Sequence, residues 1–234
     1  MIIIGALRVR NEARWIERSL RSLLPICERI IVLDDHSTDG TPDLAAAIDP
    51  VKIDVIDSPF EGLNEVRDKN FLLDVCRTHE PAWVVMIDGD EELSDPPALL
   101  RAMQTTQARA LAMRVLYLWD RPDQIRIDGV YAGLWRVSAF RLGSERFEPT
   151  GPRGFHCGNA PQAIHGRVLV NAPLLHYGYM HRADRLRKYS WYRQQDPENQ
   201  SEDHYRHVVV GDLFPADSRF RHGGPLCLQS IAHP

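Results

Sequence analysis

The sequence contains no long hydrophobic run. Ile2-Ile3-Ile4 near its start gives way to Gly5, and two arginines follow by position 10. Three apolar residues are too few for the apolar region of a signal peptide and far too few for a membrane span. No later stretch comes closer, so a cytoplasmic protein without a transmembrane segment is expected. Cysteine is scarce and scattered: Cys27, Cys76, Cys157 and Cys227 show no paired metal-ligand spacing. Reduced structural thiols are the expectation, with a reactive Cys157 beside His156 as the alternative. Charge of neither sign dominates. A formal net charge of -4 gives no general attraction to nucleic acid or acidic lipid, although the 28 Lys and Arg leave room for a local basic patch. Repeats and low-complexity segments are absent.

What is present is the pattern of one α/β domain. A length of 234 residues leaves little room for a second independent core. Ile2–Leu7, Arg29–Leu33, Val51–Ile56 and Ala82–Ile87 are short, largely apolar runs that read as buried strands. Between them Ile16, Leu20, Leu23 and Leu24 follow a helical period until Pro25, and Asn64 to Cys76 suits a helix. Thr41 is placed to cap a helix with Pro42 in its first turn. Strands alternating with helices in this way predict a mostly parallel, Rossmann-like sheet with helices on both faces. Farther on, Asp95-Pro96-Pro97 opens a short helix to about Met103. Ala110–Leu118 and Gly133–Leu142 look like strands, and Arg182–Gln195 like a helix. Residues 143–172 read as loop, and 201–234 as a weakly patterned tail. The expectation is a single domain over 1–234, with a nucleotide-binding half at 1–105 and a less regular acceptor half at 106–200.

Ligands of parallel α/β sheets bind beyond the carboxyl ends of the strands. Two acidic clusters fall there: Asp34-Asp35 after the second strand, and Asp88-Gly89-Asp90-Glu91-Glu92 after the fourth. In extended backbone Asp88 and Asp90 would point to one side and could face one hard cation, Mn²⁺ or Mg²⁺, that also bridges phosphate oxygens. Gly89 would let a ligand approach the backbone. Asp35 could accept a hydrogen bond from a nucleobase imide or a ribose hydroxyl. Asp39, Gly40 and Thr41 read as a capped turn.

The strings RVRNEARWIERSLRSL, RIIVLDDHSTDGT and VVMIDGDEEL, in this order and spacing, resemble glycosyltransferase family 2 with the GT-A fold. The likeness is good over residues 3–100. LLHYGYMHRADRLRKYSWY is similar to a histidine-plus-basic-helix segment of bacterial members. The resemblance implies inverting transfer of a sugar from a nucleoside-diphosphate sugar, a UDP-sugar, to an acceptor the sequence does not name. It implies that Asn11, Glu12 and Asp35 line the nucleoside pocket, that Asp88 lies by the ribose and metal, and that Asp90 ligates the metal. Arg67, Lys69 and Asn70 fall where relatives carry a basic-Asn segment beside the donor, with a solvated helix face as the other reading. His176 is a candidate further ligand to the metal or diphosphate, against a satisfied core histidine. Arg182, Arg185, Arg187 and Lys188 could cover the diphosphate or lie on a solvated helix face.

Inversion needs a general base for the acceptor proton. Relatives often show a His-Glu pair where this chain has His156-Cys157. Asp128 and His156 are the candidates, ahead of Glu148, and for Asp128 a hairpin-turn role competes. Two other readings stand beside a transferase. One is a binding module that keeps the nucleotide-sugar pocket without catalysis, suggested by the absent Glu. The other is a nucleotidylyltransferase, disfavoured because Arg8-Val9-Arg10-Asn11-Glu12 stands where such enzymes carry a Gly-rich loop.

Overall fold

In the computed structural model, residues 1–149, 157–198 and 203–232 are described. The strands are β1 (Ile3–Val9), β2 (Arg29–Asp34), β3 (Ile53–Asp57), β4 (Trp83–Met86), β5 (Glu91–Leu93), β6 (Ala110–Trp119), β7 (Arg121–Arg126), β8 (Trp135–Phe140), β9 (Arg167–His176) and β10 (Leu228–Ser230). The helices are α1 (Ile16–Leu23), α2 (Thr41–Ile48), α3 (Glu65–Arg77), α4 (Pro96–Thr105) and α5 (Arg182–Gln195). The chain divides into two compact units, Met1–Arg114 with Trp135–Pro173, and Val115–Leu134 with Leu174–Pro234. β6 and β9 each begin in the first unit and end in the second.

In the first unit the strand order is β6-β8-β4-β1-β2-β3. β4, β1, β2 and β3 run parallel, and β8 is antiparallel to both β4 and β6. β1, β2 and β4 are largely buried, whereas β3 at the edge carries Asp54 and Asp57 and is buried only at Ile53. Gly5 and Ile30 are register partners on one face. A Cβ on Gly5 would lie 3.1 Å from Ile30 and 3.2 Å from Leu23 of α1, so α1 lies close against this face. Neighbouring residues alternate faces. Ile4, Ala6, Ile31 and Leu33 therefore line the opposite side, where they form one cluster with Leu72, Leu73 and Cys76 of α3. Asn64 caps α3 by accepting from the Arg67 amide, and Asp95 caps α4 by accepting from the Ala98 amide.

Several local expectations change. Gly40, left-handed at φ +83°, takes the cap position of α2 in place of Thr41. The Thr41 hydroxyl accepts from the Glu12 amide and donates to Asp39 instead. β9 occupies part of the stretch read as loop. Its first three residues are exposed, which hides the apolar alternation that marks a strand. In the second unit, β7 pairs antiparallel with the end of β6 and with β10, which lies inside the weakly patterned tail. Among the described residues no helix is long and apolar enough to cross a membrane.

Candidate functional site

The parallel register brings the carboxyl ends of β2, β1 and β4 side by side, with β1 in the middle. β1 and β2 end level, with Val9 beside Asp34, whereas β4 ends at Met86 beside Ala6, three residues earlier. With adjacent strands roughly 4.8 Å apart, the axes of β2 and β4 are about 10 Å apart. The chain turns sharply just past β1 and β2, at Asn11 and His36, both at φ +56°. That region is costly for most side chains and tolerated best by Asn, Asp and His.

The loops after β1 and β2 are stitched together. Asn11 donates its amide to Ser37 Oγ at 2.9 Å, and its Oδ1 accepts from the Thr38 amide at 2.7 Å. Ser37 donates its amide to Asp34 Oδ2. Asp39 accepts from the Ala13 and Thr41 amides and from the Thr41 hydroxyl. Burial alone would raise the Asp39 carboxyl, but these hydrogen bonds outweigh it and hold it below the usual range. The capped-turn reading of Asp39 to Thr41 therefore stands, with the cap itself moved to Gly40. Asn11 braces this turn with the side chain that the resemblance assigned to the nucleoside.

Asp35 follows β2 with its amide bonded to Val9 O at 2.8 Å. Its side chain has no solvent exposure. Asp35 Oδ2 accepts from Arg8 Nη2 at 2.5 Å and from Arg10 Nη1 at 3.3 Å, while Oδ1 has no hydrogen-bond partner among the described residues. Arg8 also donates from Nε to Asp68 Oδ2 at 3.1 Å, and the other oxygen of Asp68 accepts from Arg67 Nε at 2.9 Å. No local pattern marks Asp68, a carboxylate without solvent exposure in the first turn of α3, 60 residues from Arg8.

Asp88-Gly89-Asp90 is a turn closed by the Glu91 amide on Asp88 O at 3.1 Å. The two-residue alternation of extended backbone does not apply there. Asp88 is 42% exposed along its side chain, whereas Asp90 as a whole is 3% exposed. The packing around Gly89 leaves little room for a side chain. A Cβ there would lie 2.9 Å from Val9 Cγ1 and 3.1 Å from Glu12 Cγ, and its carbonyl accepts from Ser19 Oγ at 2.8 Å. Arg136 of β8 donates to Asp88 Oδ2 at 3.1 Å and to Glu91 Oε2. Asn159 Nδ2 reaches Asp88 Oδ1 at 3.4 Å. Burial pushes the Glu91 carboxyl up, and the Asp88 and Asp90 carboxylates add to this against the opposing charge of Arg136. Arg136 and Asn159 were missed by sequence reasoning because they lie 48 and 71 residues from Asp88.

The basic-Asn segment of α3 is engaged by the protein. Lys69 is buried and donates to Cys157 O, Gly158 O and Asn159 Oδ1 at 2.7, 3.0 and 3.0 Å. Asn70 exchanges two hydrogen bonds with the backbone of Phe147. Arg67 donates to Glu61 O and Gly62 O as well as to Asp68. Of the base candidates in this unit, Glu148 is exposed and His156 lies outside the described residues. Burial raises the Cys157 thiol, which disfavours the thiolate that a reactive cysteine needs.

Two candidates fall in the second unit. Asp128 accepts from Arg126 Nε and Nη2, both at 2.8 Å, and from the Cys227 and Gly224 amides. Burial would raise its carboxyl, but these bonds and the Arg126 charge hold it below the usual range. These bonds tie Asp128 to Arg126 and to the Gly224 and Cys227 backbone. His176 ends β9 and is nearly buried. Its Nδ1 accepts from the Gly178 amide at 3.1 Å, and its ring stacks on Tyr179 at 4.9 Å between centroids. In α5, Arg185 is buried on Asp212 and Asp120, whereas Arg182 and Arg187 are largely exposed.

The donor set after β4 is of hard carboxylate oxygens. Among the described residues no group of three or more His, Cys, Asp or Glu is arranged to hold a metal. Magnesium-type sites commonly use one or two carboxylates and take their remaining ligands from water and substrate phosphates. Asp88 and Asp90 fit a site of that kind.

The family model described as Glycosyl transferase family 2 matches residues 7–158. An uncharacterized glycosyltransferase of Rickettsia bellii is 36% identical over 85 residues, 36% of this chain and 26% of that protein. An uncharacterized protein of Mycobacterium tuberculosis is 29% identical over 251 residues, covering 94% of this chain and 59% of that protein. The chain thus spans less than two thirds of the length of either relative. The crystal structure of S. aureus TarS (residues 1-349) in complex with UDP-GlcNAc superposes with a TM-score of 0.58 at 12% identity, over 91% of this chain and 72% of that one. The shared fold is the mixed α/β GT-A architecture with its mostly parallel sheet.

Proposed function

The chain belongs to glycosyl transferase family 2, and on that footing we propose that it transfers a sugar, with inversion, from a UDP-sugar to an acceptor. The observation that carries this reading is the shared edge formed by the ends of β1, β2 and β4. Asp35, whose amide is bonded to Val9 O, and the Asp88–Asp90 turn, whose Gly89 packs on the Val9 side chain, both meet the end of β1, an arrangement that suits the base at one end of a nucleoside diphosphate and the phosphates at the other. Asp35 takes the base, Asp88 the ribose, and Asp90 holds Mn²⁺ or Mg²⁺ together with the diphosphate. The bound cation would stabilise the negative charge that builds on the departing diphosphate. The loops braced by Asn11 and Asp39 keep Asp35 in place, and Lys69 fixes the Cys157–Asn159 segment whose Asn159 meets Asp88. With Asp128 paired to Arg126, His156 is the preferred candidate base, ahead of Glu148.

Thermal shift with a panel of nucleotide sugars, with and without Mn²⁺, tests the reading, because a ligand that binds the native state raises its unfolding temperature. A UDP-sugar should stabilise the protein more with Mn²⁺ than without. Asp90→Ala should keep the fold and lose Mn²⁺-dependent donor hydrolysis and transfer. Full activity in that variant would remove the metal assignment. A donor that binds without turnover on any acceptor would identify a binding module instead.

A further inference from the structure

We propose that Asp68 and Arg8 are positioning residues of the base pocket: they fix which oxygen of Asp35 is offered to the donor, and so impose a preference for a pyrimidine with an imide N–H. This rests on the donor-site reading above.

Asp35 and Asp68 both have fully buried side chains. Two buried carboxylates are tolerated only with compensating charge. One guanidinium supplies it to both, since Arg8 places Nε on Asp68 and Nη2 on Asp35. A planar fork spans two carboxylates from two fixed nitrogens in this way, whereas a lysine ammonium offers its donors from a single atom. The far side of Asp68 is held by Arg67, which is anchored on Glu61 O and Gly62 O, with its guanidinium 4.5 Å from the centroid of the Phe60 ring. The chain from the start of α3 to the end of β2 is therefore fixed at every link.

Its consequence is an asymmetry at Asp35. Oδ2 accepts from two arginines, while Oδ1 is buried with no hydrogen-bond partner among the described residues. A buried acceptor without a donor is unfavourable and is normally satisfied by something. Arg10 is the exposed member of the group, at 42%, and makes the longer contact, so its side chain can swing away to admit a base edge. Uracil presents an N–H between two carbonyls. The N–H suits Oδ1, and a flanking carbonyl suits a guanidinium. Cytosine would turn an unprotonated ring nitrogen toward the carboxylate. A site built to accept a hydrogen bond rejects an analogue that cannot donate one.

The test is calorimetric titration of UDP and of CDP in the presence of Mn²⁺, using the full chain. The wild type should bind UDP at least about tenfold more tightly than CDP. Asp68→Asn and Arg8→Met should each weaken UDP by about tenfold and leave CDP almost unchanged, so that the ratio collapses. Because Asp68 acts through Arg8, the double variant should lose no more than Arg8→Met alone. Should either variant fail to fold, Arg8→Lys keeps the charge without the bridge and should collapse the ratio in the same way. A wild-type ratio retained in Asp68→Asn or in Arg8→Lys would overturn the proposal, and so would additive losses in the double variant. Equal affinity of the wild type for UDP and CDP overturns this inference alone. Failure to bind either nucleotide sinks the donor-site reading and this inference with it.

Discussion

Gly89 and Val9 meet so closely that a single added methyl group would bring them to 2.9 Å. The glycine between the two aspartates is therefore the point where the turn after β4 rests on β1. Gly89→Ala should force Val9 or Glu12 aside. An overpacked contact of this kind costs about 1–3 kcal/mol, and the displaced turn carries Asp88 and Asp90. Urea unfolding should show the loss as a lower midpoint at unchanged slope. A variant as stable as the wild type would show that this packing is not tight.

Lys69 satisfies three acceptors of the Cys157–Asn159 segment from a nearly buried position. Lys69→Met keeps the aliphatic stem and removes the donor. The expected loss is about 1.5–3 kcal/mol, typical of hydrogen bonds from a charged group. Hydrogen exchange at Gly158 and Asn159 should accelerate in step. Unchanged exchange there would separate Lys69 from this segment.

Asp128 and Arg126 form a buried ion pair, with 8% and 0% side-chain exposure. Asp128→Asn leaves the guanidinium uncompensated, which typically costs about 3–5 kcal/mol. Because the native Asp128 carboxyl is held below its ordinary value, its contribution is complete above the unfolded pKa of about 3.9. It is lost as the pH falls through the lower native value. The stability gap between wild type and variant should therefore be constant near neutrality and shrink on acidification below about pH 4. A gap that stays constant down to pH 2 would contradict the assignment.

The four thiols should divide sharply in a labelling experiment. Cys27 and Cys76 are buried and pushed up to about 12, and Cys157 is raised by burial, while Cys227 is exposed. A thiol reagent at neutral pH should modify one cysteine quickly in the native protein and all four after unfolding. Mass spectrometry should place the fast adduct on Cys227. Rapid modification of Cys157 would restore it as a reactive group.

The β1-to-β4 framework was legible because each of these strands is a compact apolar run beside a helix with its own periodicity and punctuation. Asn64 and Asp95, read only as opening helical stretches, prove to cap α3 and α4. β9 was not legible, since four of its first five residues are exposed and break the alternation. The turn geometry of Asp88-Gly89-Asp90 was misread for a different reason. Nothing in the tripeptide distinguishes the last residues of a strand from the turn that follows it. Gly89 was correctly singled out, but its neighbours are Val9 and Glu12.

By itself the sequence determined where carboxylates stand along the chain and that β2 and β4 end in them, because strand burial and acidic punctuation are local properties. Tertiary structure decided what each carboxylate can do. Asp128 became half of a buried ion pair, Asp68 became the anchor of Arg8, and Asp35 was left with one oxygen paired and the other without a partner among the described residues. Those differences come from guanidiniums and amides delivered from 2 to 99 residues away. Most of those separations carry no local signal, and the partners that decide a carboxylate's hydrogen bonds and proton affinity exist only once the strands have paired and the loops have closed.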